Sequence, residues 1–189
     1  MVAQILRKKF TVKQYRQMVI AGILVDPNRL ELLAGEVVEM PAVGQAHRLG
    51  IHRLVELLGL GLAFRAIVRV QSPLGLGPTS APRPDIALLR QRVYFYAGDC
   101  SEAEDVFAVV EVADTTEEFD RLVKLPIYAE HGIGEVWIVD LLAGAVQVYR
   151  QPREKGYGEM QVLRGSDEIG FQAFPDVRFT VDELFGREE

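Results

Sequence analysis

The period of hydrophobic and polar positions changes several times along the chain, and each change predicts an element. FTVKQYRQMVIAGI offers Thr11 as a helix N-cap with Gln14 three residues on, apolar Tyr15, Met18 and Val19 at helical spacing, and Gly22 as a stop. RLELLAGEVVEM holds two short strand-like runs about Ala34-Gly35, a hairpin that ends at Pro41. From Gln45 to about Leu62, the residues Leu54, Leu57, Leu58 and Leu62 share one helical face, and His47 falls in the first turn. Strand patterns follow at Ala66 to Gln71, Asp85 to Leu89 and Val106 to Val112, with the Pro- and Gly-rich SPLGLGPTSAPRP as a loop between the first two. A charged helical stretch runs from about Glu117 to His131, and EVWIVD is the next strand. AVQVYR and GEMQVL, parted by the turn-rich KGYG, read as antiparallel additions. TVDELF restarts a short helix, with Thr180 as cap and Glu183 at the capping-box position. Strands and helices mix without strict alternation, so the expected class is α+β, a central mixed β-sheet flanked by helices.

Length and composition narrow this picture. The 189 residues fit one domain spanning 1–189, and 49% hydrophobic with 25% charged residues excludes long disorder, a collagen-like repeat and a coiled-coil rod. A single cysteine, Cys100, allows neither an internal disulfide nor a Cys-based zinc site, so a reducing cytoplasm is the expected compartment. The first residues lack a long apolar signal region, and the longest uncharged apolar run, Leu57 to Phe64, is far below the roughly 18 residues of a membrane span. No membrane association is expected. The net charge of −6 argues against coating nucleic acid through bulk positive charge. Yet between Arg48 and Arg92 seven arginines face only Glu56 and Asp85, so that segment is +5 and the remainder −11. Linear clustering fits either a local basic face or arginines scattered over solvated surface.

The informative polar residues are Asp85, Glu111 and Lys124. Asp85 opens one apolar strand and Glu111 follows Val109 and Val110 near the end of another. A carboxylate on a buried strand is costly unless it reaches an edge, pairs with a cation or binds a metal. An Asp/Glu pair without His or Cys ligands favours magnesium or manganese over zinc, and such ions keep positions open for a phosphate. Asp120, Lys124 and Tyr128 are four residues apart and share a helical face, so Asp120 can hold Lys124 while Tyr128 bonds in the same site. Spacing alone equally fits an ordinary ion pair on a solvated helix, and Pro126 would kink that helix or restrict its start. Asp114, Thr115 and Thr116 read as a turn plus helix cap. Asp140 reads as closing a turn, and Trp137 and Tyr149 as core or interface residues. No Walker loop, dinucleotide glycine motif, zinc-spaced His/Cys set or GxSxG elbow is present.

Across almost its whole length the chain resembles the Uma-two restriction-endonuclease family, a bacterial branch of the PD-(D/E)XK nuclease superfamily. FTVKQYRQMVIAGIL, RLELLAGEVVEMPAVGQAH, RAIVRVQSPL, PRPDIALLR, VVEVADTTEEFDRLVKLPIYAEHGIGEVWIVDL and AFPDVRFTVDELF carry the resemblance in matching order. It implies that Pro84-Asp85 is the PD motif, that Glu111 is the acidic residue of the (D/E)XK motif, and that its lysine has moved onto the following helix at Lys124. Ala113 stands where the strict ExK form has lysine. The resemblance also points to Glu36, His47 and Gln71 as polar positions near the site, with His47 either contacting water or phosphate or merely satisfying the helix start.

The reading that follows is a restriction-endonuclease-like fold that hydrolyses nucleic-acid phosphodiesters, DNA foremost, with magnesium or manganese. Asp85, Glu111 and the backbone carbonyl of Val112 are expected to hold the metal, and Lys124, His47 and Glu36 to assist catalysis. Arg48, Gln71, Arg83 and Tyr128 are expected to contact substrate. A homodimer is expected to address both strands. Two alternatives compete with this reading. One is a nuclease-fold module, weak or inactive in cleavage, that binds nucleic acid or a protein. The other is a structural oligomer whose exposed strands pair.

Overall fold

The computed structural model describes residues 7–92 and 101–187, so Cys100 lies outside the described residues. Helix α1 (Val12–Ile20) is followed by a hairpin of β1 (Leu30–Leu33) and β2 (Glu36–Glu39), then by α2 (Gln45–Leu62) and β3 (Ile67–Val70). Next come β4 (Leu74–Gly75), β5 (Ile86–Leu89), β6 (Ser101–Glu102) and β7 (Val106–Ala113). A continuous helical segment then combines α3 (Glu117–Phe119), a π-helical turn (Asp120–Lys124) and α4 (Leu125–Glu130). The chain ends with β8 (Glu135–Asp140), β9 (Ala145–Arg153), β10 (Gly156–Arg164), β11 (Glu168–Ile169), β12 (Phe179–Thr180) and α5 (Val181–Phe185).

Six strands form the main sheet in the order β10-β9-β8-β7-β5-β3. Only β7 and β8 run parallel, joined by the helical segment between them; the other neighbours are antiparallel. The α+β mixed sheet expected from the sequence is therefore the fold observed. Local signals explain its punctuation. Thr11 with Gln14 and Thr180 with Glu183 both form complete capping boxes. Ala34 (φ 48°) and Gly35 (φ 85°) make the two-residue turn that sets Leu33 opposite Glu36. The β9–β10 turn is Glu154-Lys155, two residues tighter than the sequence suggested, because Gly156 already pairs with Arg153.

Alternation along the strands gives each face of the sheet its own core. Ile86, Leu88, Val110, Val112, Trp137 and Val139 pack with α2, α5 and Phe171, whose ring stacks on Trp137 at 3.8 Å. Ala87, Leu89, Val109, Val136 and Ile138 pack with Leu125, Ile127 and Tyr128 on the other face. Helix α2 buries Ile51, Leu54, Leu58 and Leu62, whereas Leu57 lies at the edge of that stripe and is half-buried. Its close approach depends on Gly50, since a Cβ there would meet Val112 and Leu141 at 3.2 and 3.4 Å. That contact brings the first turn of α2 beside the ends of β5 and β7.

Several arginines of the linear cluster are engaged one by one by their neighbours. Arg65 pairs with Asp176 at 2.9 Å, Arg92 with Asp105, and Arg90 lies 4.5 Å over the Phe107 ring. Charges spaced along a strand or helix point in different directions, so a carboxylate or ring takes some of them while Arg48 and Arg83 bond backbone carbonyls. Among the described residues no helix is long and apolar enough to cross a membrane.

Candidate active site

The site forms where β5 begins and β7 ends. Asp85 precedes β5 in the parity of Ala87 and Leu89, and Glu111 alternates with Val110 and Val112, so both carboxylates lie on the face covered by the helical segment. The Asp85 backbone N–H donates to Glu111 Oε2 at 3.3 Å, and the Val112 N–H donates to Asp85 Oδ2 at 2.9 Å. Past the start of β5 the edge of β7 has no strand partner among the described residues, and the Asp85 side chain takes the N–H that a strand would have bound. The Val112 carbonyl faces the same edge, because the N–H and C=O of one strand residue point the same way.

Two polar side chains steer Asp85. His47 Nε2 lies 2.9 Å from Asp85 Oδ1, and Gln71 Nε2 donates to the same oxygen at 3.2 Å. His47 is thus tied to Asp85 rather than satisfying the start of its helix. Gln71 holds a left-handed backbone (φ 43°), a conformation disfavoured for any side chain beyond glycine. Its N–H bonds the Asp85 carbonyl at 3.0 Å, and its own carbonyl accepts from Arg83 at 2.9 Å.

Glu111, 2% exposed, accepts from Lys124 Nζ at 3.3 Å and from the Tyr128 hydroxyl at 2.5 Å, both on Oε1. Lys124 also pairs with Glu31 Oε1 at 3.1 Å and lies 3.7 Å from Asp120 Oδ1. Pro126 does not break the helix here. The Leu125 N–H reaches back five residues to the Asp120 carbonyl, and this wider turn takes up the space that the proline ring denies to a regular helix. The same turn leaves Asp120 and Lys124 both buried.

Electrostatics follow from burial. Glu31, Asp85, Glu111 and Asp120 surround one ammonium. Burial raises the Glu111 pKa well above the carboxylate range, against the pull of Lys124. Burial likewise lifts Asp120 to about 6, although Lys124 and the Thr116 hydroxyl, which donates to Asp120 at 2.9 Å, lower it. Burial disfavours the charged form of Lys124, but Glu111, Glu31, Asp120 and Asp85 together outweigh it and hold its pKa above the ordinary lysine value. Tyr128 is raised by its burial first and by Glu111 second, so it stays a hydrogen-bond donor.

A cavity of about 430 Å³ opens onto these groups, with His47, Gln71, Asp85, Glu111 and Lys124 in its wall and Arg29 and Arg83 also lining it. Three residues singled out in the sequence are placed elsewhere. Glu36 sits exposed at the hairpin end, 3.9 Å from Arg7, because its strand β2 faces solvent. Arg48 is exposed and donates to the Val43 carbonyl at 2.6 Å. Tyr128 is fully buried behind Glu111, a support for that carboxylate and outside the cavity wall. The early acidic residue at the site is instead Glu31, 3% exposed, whose Oε2 is buried with no hydrogen-bond partner. Its signal in the sequence was a charge between leucines, the same signal that marks Glu111 between valines. Thr116 bonds Asp120 and makes no cap bond to its own helix. Asp140 accepts from the Ala143 N–H at 2.9 Å and closes the turn expected of it.

Among the described residues no group of three or more His, Cys, Asp and Glu converges in metal-holding geometry. The chemistry of the donors nevertheless fits a hard divalent ion. Two carboxylates and a carbonyl provide oxygen alone, and such ions retain several waters when held by one or two protein carboxylates.

The six-stranded mixed sheet flanked by helices is a restriction-endonuclease-like fold. The chain is similar over 94% of its length to the crystal structure of a "putative nuclease belonging to DUF820" from Anabaena variabilis. That likeness has a TM-score of 0.70 and 15% identity and covers 98% of that chain. The family model described as "Uma2: Putative restriction endonuclease" matches residues 12–182, and the chain belongs to this family. No curated protein matches it. Membership supports a nuclease function in general terms.

Proposed function

We propose that this protein is a divalent-metal-dependent endonuclease that hydrolyses phosphodiester bonds of DNA. The observation that carries the reading is the coupling of Asp85 to Glu111 through a backbone N–H, with Lys124 against Glu111 and a cavity open to all three. Asp85, Glu111 and the Val112 carbonyl would hold magnesium or manganese. Bound there, the cation supplies Lewis acidity toward the phosphodiester and its attacking water.

The chain's own residues supply the rest. His47 and Gln71 fix the Asp85 carboxylate in one orientation. Tyr128 and Lys124 do the same for Glu111, and the Lys124 ammonium would offset negative charge on the phosphoryl oxygens. Glu31 and Asp120 anchor that ammonium from the sides away from Glu111. Arg83 and Arg29 line the cavity where a phosphate backbone enters and supply positioning contacts without base readout. A homodimer would offer one such site to each strand.

The test is cleavage of supercoiled and single-stranded DNA with magnesium or manganese, by wild type and by Asp85→Ala and Glu111→Ala. Cleavage by wild type that falls about a thousandfold or more in both variants is expected, since removing a metal-holding carboxylate removes most of the catalysis. Cleavage that persists in both variants would place the chemistry elsewhere. Binding of DNA without cleavage by wild type would favour a non-cleaving module.

A further inference from the structure

The cavity has a second kind of wall that metal and phosphate chemistry do not use. Its lining includes Met40, Pro41, Ala42, Val43 and Gly44, a run of consecutive residues between β2 and α2 without one polar side chain. Val43 is 40% exposed and Met40 half-buried, so apolar surface meets water in the same cavity as the carboxylates of Asp85 and Glu111. The run is held at both ends. The Arg29 guanidinium donates to the Met40 carbonyl at 3.0 and 3.2 Å, and the Met40 N–H donates to the Arg29 carbonyl at 2.7 Å. Arg48 donates to the Val43 carbonyl at 2.6 Å, and Pro41 between them has a fixed φ. A surface fixed before a ligand arrives loses little entropy when it is covered.

The mixture of groups around the cavity specifies its occupant. Carboxylates suit a cation that binds phosphate, Arg29 and Arg83 suit a phosphodiester backbone, and an apolar strip suits the flat face of a base. Together they are the chemistry of one nucleotide in a strand. In a regular duplex each base face is covered by its stacking neighbours and only base edges reach the grooves, so a duplex has no base face to offer this strip. The volume agrees. About 430 Å³ lies within the range of pockets that enclose one small molecule, roughly 300 to 1,000 Å³, which suits a single nucleotide and not a stack of base pairs. We infer that residues 40–43 form a base-contacting wall, and that the strand cut at this site carries an unpaired nucleotide beside the scissile phosphate, being single-stranded or locally opened. This rests on the nuclease reading and adds to it the form of the substrate.

The residue types in the wall also set what it can discriminate. Met40 offers a polarisable thioether that packs well on aromatic rings, and Pro41 and Val43 offer C–H surface. Every base has such a face, so the wall selects for an unstacked base and not for a sequence.

Fluorescence anisotropy of the full chain tests this with three labelled probes of one length: a thymidine single strand, the same strand in a duplex, and a strand of abasic sugar-phosphates. Calcium replaces magnesium as the hard cation, and cleavage of the same probes with magnesium is scored alongside. Wild type is expected to bind the thymidine strand about fivefold or more tighter than the abasic strand, the low end for one contacted base, and tighter than the duplex. Val43→Ser, a change at an exposed position, should weaken the thymidine strand about threefold and leave the abasic strand unchanged. The comparison of probes on wild type needs no variant to fold. Equal binding of thymidine and abasic strands, a duplex bound as tightly as the single strand, or a Val43→Ser effect that is the same on both strands overturns the wall. If cleavage is seen at the same time, the nuclease reading survives and this inference alone fails. Base-dependent binding without cleavage by wild type overturns the nuclease reading and leaves the wall standing, and no binding to any probe overturns both.

Discussion

Two buried carboxylate groups occupy opposite faces of the same sheet, and they are built on different terms. Glu135 opens β8 on the Trp137 face and is 1% exposed. Its Oε1 accepts from Arg150 at 2.7 and 3.0 Å and from the Trp137 indole at 2.9 Å, while Oε2 accepts the Gln172 N–H at 2.7 Å. One acid faces one base, and both oxygens are used. On the other face Glu31, Glu111 and Asp120 share a single Lys124, Asp85 beside them is held by His47 and Gln71, and Glu31 leaves one buried oxygen bare. A satisfied buried ion pair needs nothing more than the fold supplies. An excess of acid with an open lone pair is complete only when something cationic arrives, which is the physical reason to place function at the second cluster and architecture at the first.

This contrast predicts opposite responses to the same isosteric change. Glu135→Gln strips the charge partner from Arg150 in a closed environment and should cost roughly 3 to 5 kcal/mol in urea denaturation. Glu31→Gln removes one of four mutually repelling carboxylates and should leave the protein about 1 kcal/mol more stable, the gain typical of relieving a functional site. If both substitutions destabilise to a similar degree, Glu31 is an architectural partner of Lys124 and the contrast is lost.

The smallest effect concerns pH. Asp120 has its pKa raised by burial from an ordinary 3.8 to about 6 in the folded chain. The folded protein holds that proton more tightly than the unfolded one, so the contribution of Asp120 to stability is fullest below about pH 4 and is lost as the pH rises to about 6. Asp120→Asn should flatten this decline. Thermal unfolding of both proteins between these limits checks it, and curves that stay parallel would contradict the assignment.

Much of this was legible in the sequence where local chemistry decides structure. The two capping boxes, the Ala34-Gly35 turn and the alternating strands follow from nearest neighbours and came out as read. Asp85 and Glu111 were legible because charge inside an apolar run is expensive and must be accounted for, and Lys124 because it lies four residues from both Asp120 and Tyr128. What the sequence hid depends on three-dimensional cover. In β1 all four residues are buried, because the Leu32–Ala81 bridge and Tyr15 of α1, whose hydroxyl donates to the Leu30 carbonyl, lie over the hairpin. Strand alternation therefore could not show that Glu31 is interior while Glu36 faces solvent. The π-helical turn was equally hidden. Pro126 signalled a disturbance of the helix, and the structure resolves it as an extra residue in one turn instead of a break.

The most direct test of the central claim is calorimetric titration of manganese into wild type and Asp85→Asn, a substitution that keeps the shape of the side chain and an oxygen for His47 and Gln71 but loses the acceptor of the Val112 N–H. The account predicts that wild type binds the ion and that the variant loses binding by about tenfold or more, as expected when one of two protein carboxylates is removed from a hard-ion site. Equal binding by both proteins, or none by wild type, would contradict it.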